Sequence, residues 1–208
     1  MRIHETALVE DGVEIGAGTA IWDNAHLRGP SRIGADCIVG GKTYIAYGVE
    51  IGDRCKLNAF VYVCTGVTIE PGVMIGAGTT FTNDRFPRAT NAELTELVPS
   101  DPDEHTELTV VAEGASIGAR ATIGPGLRIG RFAMVGMASV VTRSVPDFHL
   151  VAGSPARSIG IVSRCGPPLL RFPAGEIPPD QDLHDASGYR YEVRNGRITD
   201  FPPTVVSR

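Results

Sequence analysis

An all-β solenoid is the fold class that this sequence predicts, and three observations carry the prediction. Every sixth residue from Ile3 to Phe81 is large and apolar, the same series resumes from Val111 to Val141, and glycine repeatedly follows the apolar residue. An amphipathic helix would space its apolar residues by three and four, and a half-buried strand by two. A period of six with glycine fits neither. It fits coils in which each hexapeptide supplies one short strand and a corner, so that like side chains stack coil upon coil.

The first block runs Ile3, Val9, Ile15, Ile21, Leu27, Ile33, Val39, Ile45, Ile51, Leu57, Val63, Ile69, Ile75 and Phe81, with no polar member. Four residues after each comes a small or β-branched residue, among them Ala7, Thr19, Ala25, Cys37, Thr43 and Cys55. Three hexapeptides per coil put Cys37 one coil below Cys55, and both read as small core residues rather than a disulfide. No Cys-x-x-Cys pair exists, which argues against a secreted disulfide framework. The glycines are expected at corners, where they accept backbone angles that bulkier residues resist. Residues 82–108 interrupt the rhythm, opening with Thr82-Asn83-Asp84-Arg85-Phe86-Pro87-Arg88 directly after Phe81. An excursion of that length from a regular solenoid points to function more than filler. The second block follows, with Leu127 the one larger residue at a small position. Residues 161–208 leave the hexapeptide pattern, and Tyr189–Ile198 alternates like a hairpin around Asn195-Gly196. The expected organisation is a β-helix domain over 1–160 with an inserted loop at 82–108, then a small β extension over 161–208.

Bulk properties narrow the class. The chain has 208 residues, a formal net charge of −5 and a pI near 5.5. That balance offers no basic stripe for nucleic acid. No apolar run is long enough to span a bilayer, and the amino-terminal stretch carries charges where a signal peptide would be apolar. No membrane association and a cytoplasmic location are the expectation.

The tail of the repeat, Val140 to Gly160, contains a Val-Pro and then Gly153-Ser154-Pro155-Ala156-Arg157. This resembles the closing motif of the hexapeptide-repeat acyltransferases, which are left-handed parallel β-helices and usually trimers. A narrower likeness lies in Ile21-Trp22-Asp23-Asn24-Ala25-His26-Leu27, in Phe81–Ala89 and in Glu113–Gly130. These segments resemble bacterial N-acetyltransferases that acylate a 3-amino group on nucleotide-linked sugars. The resemblance implies acetyl-CoA as co-substrate, a nucleotide-linked amino-deoxy sugar as acceptor and a homotrimer. It places Asn83 near the reacting amine, Asp84, Arg85 and Arg88 in the sugar-nucleotide pocket, and His26 as a further catalytic candidate.

Amide formation from a thioester needs a neutral amine facing the carbonyl, stabilisation of the oxyanion and a held acyl carrier. Gly118, Ala121, Gly136 and Ala138 are candidates for a wall against which the pantetheine arm lies. Arg143 and Arg157 suit its phosphates, because a guanidinium matches phosphate oxygens. The sequence departs from the family at Asn58–Val61, at Cys64-Thr65-Gly66 and at Ala112-Glu113. Some relatives carry a zinc ribbon after the coils. Here its positions read Ser163, Cys165, His184 and Ser187, a poor zinc set, so no metal is expected. Two other readings compete. A γ-carbonic anhydrase-like enzyme would need three converging histidines, which His4, His26, His105, His149 and His184 do not offer by spacing. A non-catalytic scaffold would have little need for the Phe81–Ala89 segment.

Overall fold

The computed structural model describes residues 1–99, 101–104 and 106–203, and every regular element among them is a β-strand. Strands of two or three residues alternate with turns, and successive strands fall on three parallel sheets. The first face begins Arg2–Ile3, Ala20–Ile21 and Ile38–Val39. The second begins Leu8–Val9, His26–Leu27 and Tyr44–Ile45, and the third Val13–Ile15, Ser31–Ile33 and Glu50–Ile51. Register places like on like: Ile3 beside Ile21, Leu27 beside Ile45, Ile33 beside Ile51. The fold is a parallel β-helix.

The alternation of side chains in a strand explains the interior. Leu27, Val39, Ile45, Leu57, Val63 and Ile75 have no exposed surface, and each such side chain contributes about 1.5–3 kcal/mol by leaving water. The small residues four positions on fill the corners, where Thr19, Thr43 and Thr79 are buried and donate their hydroxyls to the carbonyls of Gly34, Asn58 and Gly118. Cys37 and Cys55 are free and buried there. In the first coil Ile3 remains 41% exposed, its strand being paired on one side, with Ala20–Ile21.

The glycines correct one expectation. The left-handed backbone sits three residues after the apolar position, and it is adopted by Gly12, Gly18, Gly48 and Gly72 but equally by Asn24, Asp36, Lys42, Arg54 and Phe60. The glycine directly after the apolar residue has ordinary angles and is needed for another reason. A Cβ on Gly76 would lie 2.4 Å from the Ala119 amide nitrogen, and one on Gly16 2.5 Å from that of Ala35. These glycines allow the next coil to approach.

The insertion leaves the stack intact. Ile69 pairs with Val111, Ile75 with Ile117 and Phe81 with Ile123, so residues 82–108 leave from the second face and return to the third. At the far end His149–Gly153 joins the first face. The chain then reverses through Ser154-Pro155 into the antiparallel strands Ala156–Val162 and Pro168–Arg171. Residues 160 and 161, where the sequence divides into domain and extension, lie inside Ala156–Val162. A separate sheet of Gln181–His184, Arg190–Arg194 and Arg197–Phe201 packs through Tyr191, Val193 and Ile198 on Phe148 and Ile161. Its second hairpin turns at Asn195-Gly196, both with positive φ.

Two polar clusters fasten this cap. Asp200 receives Arg131 at 2.9 Å and Arg164 at 2.5 Å. Burial opposes the charge on Asp200, yet the two guanidiniums hold its carboxyl below the usual range. His149, whose role the sequence leaves open, is buried between Ser158 Oγ at Nδ1, 2.5 Å, and the Gly196 carbonyl at Nε2, 3.0 Å. At the ribbon positions Cys165 Sγ lies 4.0 Å from Ser187 Oγ. The carboxylate of Asp185 organises that turn, accepting hydrogen bonds from the Ser187 amide and hydroxyl, the Tyr189 amide and the Tyr191 hydroxyl.

Candidate active site

The insertion builds a cavity of about 860 Å³ lined by Asn83, Asp84, Arg85, Arg88, Leu97 and Glu107, among others. Four sequence-predicted residues therefore share one site. Asn83 follows the strand Thr80–Phe81, and its Nδ2 donates to the Thr65 carbonyl at 3.1 Å, one coil below. The Glu107 amide closes on the Asn83 carbonyl at 3.0 Å, which ties the loop's exit to its entrance. With Nδ2 engaged, Oδ1 accepts no hydrogen bond among the described residues. The site thus offers an oriented, neutral acceptor.

The charged residues differ in what they do. Asp84 accepts the Phe86 amide at 2.8 Å and so shapes the turn. Arg85 is paired with Glu107 at 2.8 Å, and Arg88 donates to the adjacent Pro87 carbonyl. Glu107 is a site residue that sequence reasoning does not single out. Its carboxylate lies over Gly126, where a Cβ would fall 2.0 Å from Oε2, and glycine at that point is the one available signal. Cys64, two residues before Gly66, is buried, and burial pushes its thiol up to about 11, so it stays protonated near neutral pH. It is no ready nucleophile.

His26 stands apart. It lies on the second face three coils before Thr80–Phe81, a separation of roughly 14 Å along the stack. Its Nε2 meets Glu10 Oε1 at 2.8 Å, its ring packs edge-on against Tyr44 at 5.4 Å, and the hydrogen bond to His26 is the main reason the Glu10 carboxyl sits below its ordinary range. Within one chain the two catalytic candidates are not brought together.

The later coils carry the remaining candidates. Ala121 is 1% exposed and faces the interior, so its methyl cannot touch a ligand outside the coil. Gly118 serves close approach, since a Cβ there would lie 2.4 Å from the Met137 amide nitrogen, whereas one on Gly136 would meet the Ala152 methyl at 3.0 Å, a tight side-chain contact rather than a backbone clash. Ala138 is exposed at a left-handed corner. Arg143 is exposed after the strand Val140–Val141 on the second face, whereas Arg157 lies in Ala156–Val162 at the end of the first and donates to the Ala156 carbonyl. They belong to different sheets at the same end of the stack. Among the described residues no three His, Cys, Asp or Glu side chains group as metal ligands, and His105 lies outside those residues. No helix among them is long and apolar enough to cross a membrane.

Comparison with known proteins now adds to this geometry. The bacterial transferase hexapeptide model (six repeats) matches residues 3–47 and 48–83, and the hexapeptide repeat of succinyl-transferase matches 30–65 and 109–143. A dTDP-3-amino-3,6-dideoxy-alpha-D-galactopyranose 3-N-acetyltransferase of Aneurinibacillus thermoaerophilus is 41% identical over 91 residues, 44% of either protein. Serine acetyltransferase 2 of Arabidopsis thaliana is 29% identical over 80% of this chain and 41% of its own length. The chain thus spans less than half the length of these curated relatives. Among solved structures, a point mutant of AntD, an N-acyltransferase from Bacillus cereus in complex with dTDP-4-amino-4,6-dideoxyglucose and coenzyme A, superposes with a TM-score of 0.60. It is 22% identical, over 71% of this chain and 82% of that one. Together the repeat models span more than half of the sequence, and the chain belongs to the hexapeptide-repeat transferases, with their left-handed β-helix fold.

Proposed function

We propose that this protein is an acetyl-CoA-dependent N-acetyltransferase acting on the amino group of a nucleotide-linked amino-deoxy sugar. The observation that carries the reading is the cavity at the break in the solenoid, where the Thr65 carbonyl fixes the Asn83 amide and leaves its oxygen free to orient an amine. The A. thermoaerophilus enzyme is named for this chemistry, and AntD is described in complex with an amino-sugar nucleotide and coenzyme A.

In this reading Asn83 Oδ1 accepts one N–H of the neutral amine and aims its lone pair at the acetyl carbonyl. The N–C bond forms and the C–S bond breaks. The proton shed by nitrogen passes to the departing thiolate, which leaves as the free thiol of CoA. Arg88 meets the diphosphate, Asp84 holds the turn, and Glu107 positions Arg85. Arg143 and Arg157 engage CoA phosphates at the far end, with backbone rather than side chain at Gly118, Ala121, Gly136 and Ala138 forming the wall. His26 belongs to a different level of the stack, away from the reacting amine. The reading carries with it a homotrimer and a cytoplasmic setting.

The test is CoA thiol release from acetyl-CoA against a panel of nucleotide-linked 3-amino and 4-amino sugars, with mass analysis of the product. An acceptor that gains one acetyl group per thiol released supports the proposal. No amine in the panel stimulating release above hydrolysis would sink it.

A further inference from the structure

Sequence positions 26, 44 and 62 stand one coil apart on the second face, and their side chains form a ladder. His26 meets Tyr44 edge-on at 5.4 Å, and Tyr44 and Tyr62 stack at 5.2 Å with their planes within 9°. The ladder then stops. The next rungs on the same face are Thr80 and Thr122, too short to cover a ring. Tyr62 is packed by Tyr44 on one side and remains 44% exposed. The rung that Thr80 leaves empty lies beside the strand that leads into Asn83.

We propose that the nucleobase of the acceptor continues this ladder, stacking on Tyr62 above Thr80. This rests on the acyltransferase reading and adds which surface recognises the nucleotide. Every base presents a π-face, so an aromatic end-rung is a platform for it. Spacing agrees as well. One coil up and three residues along separate Tyr62 from Asn83 by roughly 10 Å. The pentose and diphosphate that link base to amino sugar together bridge a gap of that order, so a base on Tyr62 leaves the sugar amine at Asn83 and the diphosphate near Arg88. The rest of the ladder has a positioning role. Glu10 holds His26, His26 buttresses Tyr44, and Tyr44 keeps Tyr62 flat.

Calorimetric titration of the intact protein with thymidine diphosphate, guanosine diphosphate and inorganic pyrophosphate tests this, in wild type, Tyr62→Phe, Tyr62→Leu and Tyr62→Ala. Tyr62 lies on the outer surface, so these variants leave the interior unchanged. The expected result is a 10- to 100-fold loss of affinity in Tyr62→Ala for whichever nucleotide binds wild type, with Tyr62→Phe close to wild type and Tyr62→Leu between. Pyrophosphate affinity stays equal in all four. In acyl transfer, KM for the acceptor rises in Tyr62→Ala and kcat at saturation holds. Equal nucleotide affinity in Tyr62→Ala, alongside intact acyl transfer, overturns the stacking proposal alone. Equal losses in Tyr62→Phe and Tyr62→Ala overturn it too, by assigning the contact to the hydroxyl. Absence of both nucleotide binding and acyl transfer in wild type removes the functional reading and this proposal together.

Discussion

Among the described residues the Asn83 side chain makes one hydrogen bond, from Nδ2 to the Thr65 carbonyl, and that bond settles which end of the amide is available. Asn83→Ala removes the free acceptor and the tether together. If the oxygen orients the amine, kcat falls about 10- to 100-fold, the span of one positioned hydrogen bond of ~1.4–2.7 kcal/mol. CoA affinity measured on the same variant stays near wild type, because the coils assigned to it lie beyond the insertion. Asn83→Asp is the sharper probe. It sets a carboxylate oxygen against the Thr65 carbonyl, loses the tether and adds charge, so it is expected to fall below the alanine variant in steady-state assays at neutral pH. Wild-type turnover in both would return Asn83 to a turn residue. The identity of this asparagine is legible in the sequence from its place after the last regular hexapeptide. Its partner is not, since a backbone carbonyl leaves no trace in residue type. Tyr44 and Tyr62 are equally readable, at intervals of one coil from His26, once outward positions are followed with the same care as inward ones.

Between coils, the repeat rests on two distinct demands for glycine, and neighbouring positions separate them. Gly76 has ordinary angles and backbone 2.4 Å from where its Cβ would be, whereas Gly72 has φ +74° and nothing nearer than 3.9 Å. Gly76→Ala pushes coils apart and is expected to cost about 2–3 kcal/mol, as overpacking does. Gly72→Ala meets only the left-handed penalty of about 1 kcal/mol. Denaturant midpoints for the two variants check the order, and the reverse order would refute this account. The period of six is plain in the sequence because interior stacking constrains side chains directly. The reason for the following glycine is not, since a backbone clash between coils and a strained corner select the same residue. At the closing end, His149 shows a further element-level constraint. Burial lowers its pKa below the usual 6.5, and a neutral ring suits its partners, the Ser158 hydroxyl and Gly196 carbonyl. The unfolded chain therefore takes up the proton first as pH falls. Stability from this contact is full above about pH 6.5 and declines below it. Melting temperatures taken from pH 7.5 down to 5.5 should drop more steeply in wild type than in His149→Asn, which has no proton to gain there.

At the scale of the molecule, the insertion presents apolar surface that one chain leaves uncovered. Phe86 is 79% exposed, Leu94 and Leu97 80%, Leu108 73%, and Met137 on a later coil 79%. Single exposed apolar residues are ordinary, but several fall on one insertion, and Phe86 and Leu97 also line the candidate site, so this is the surface that a second copy would cover under the homotrimer proposal. A cyclic assembly with its axis along the solenoid would keep each coil at its own level, so residues of neighbouring chains meet only at matching heights. Under that arrangement Asn83 can be joined by a neighbour's groups from the same coil or the next, but not by a neighbour's His26, three coils away. The expected outcome is a species of three 22.0 kDa chains in sedimentation equilibrium at micromolar concentration. Phe86→Ser combined with Leu97→Ser should shift that mass towards the monomer and abolish acyl transfer, while the circular dichroism of the β-helix persists, because neither side chain contributes to the coil interior. A wild-type monomer that transfers acetyl groups would show instead that one chain completes the site, and would assign the exposed loop residues to the substrate.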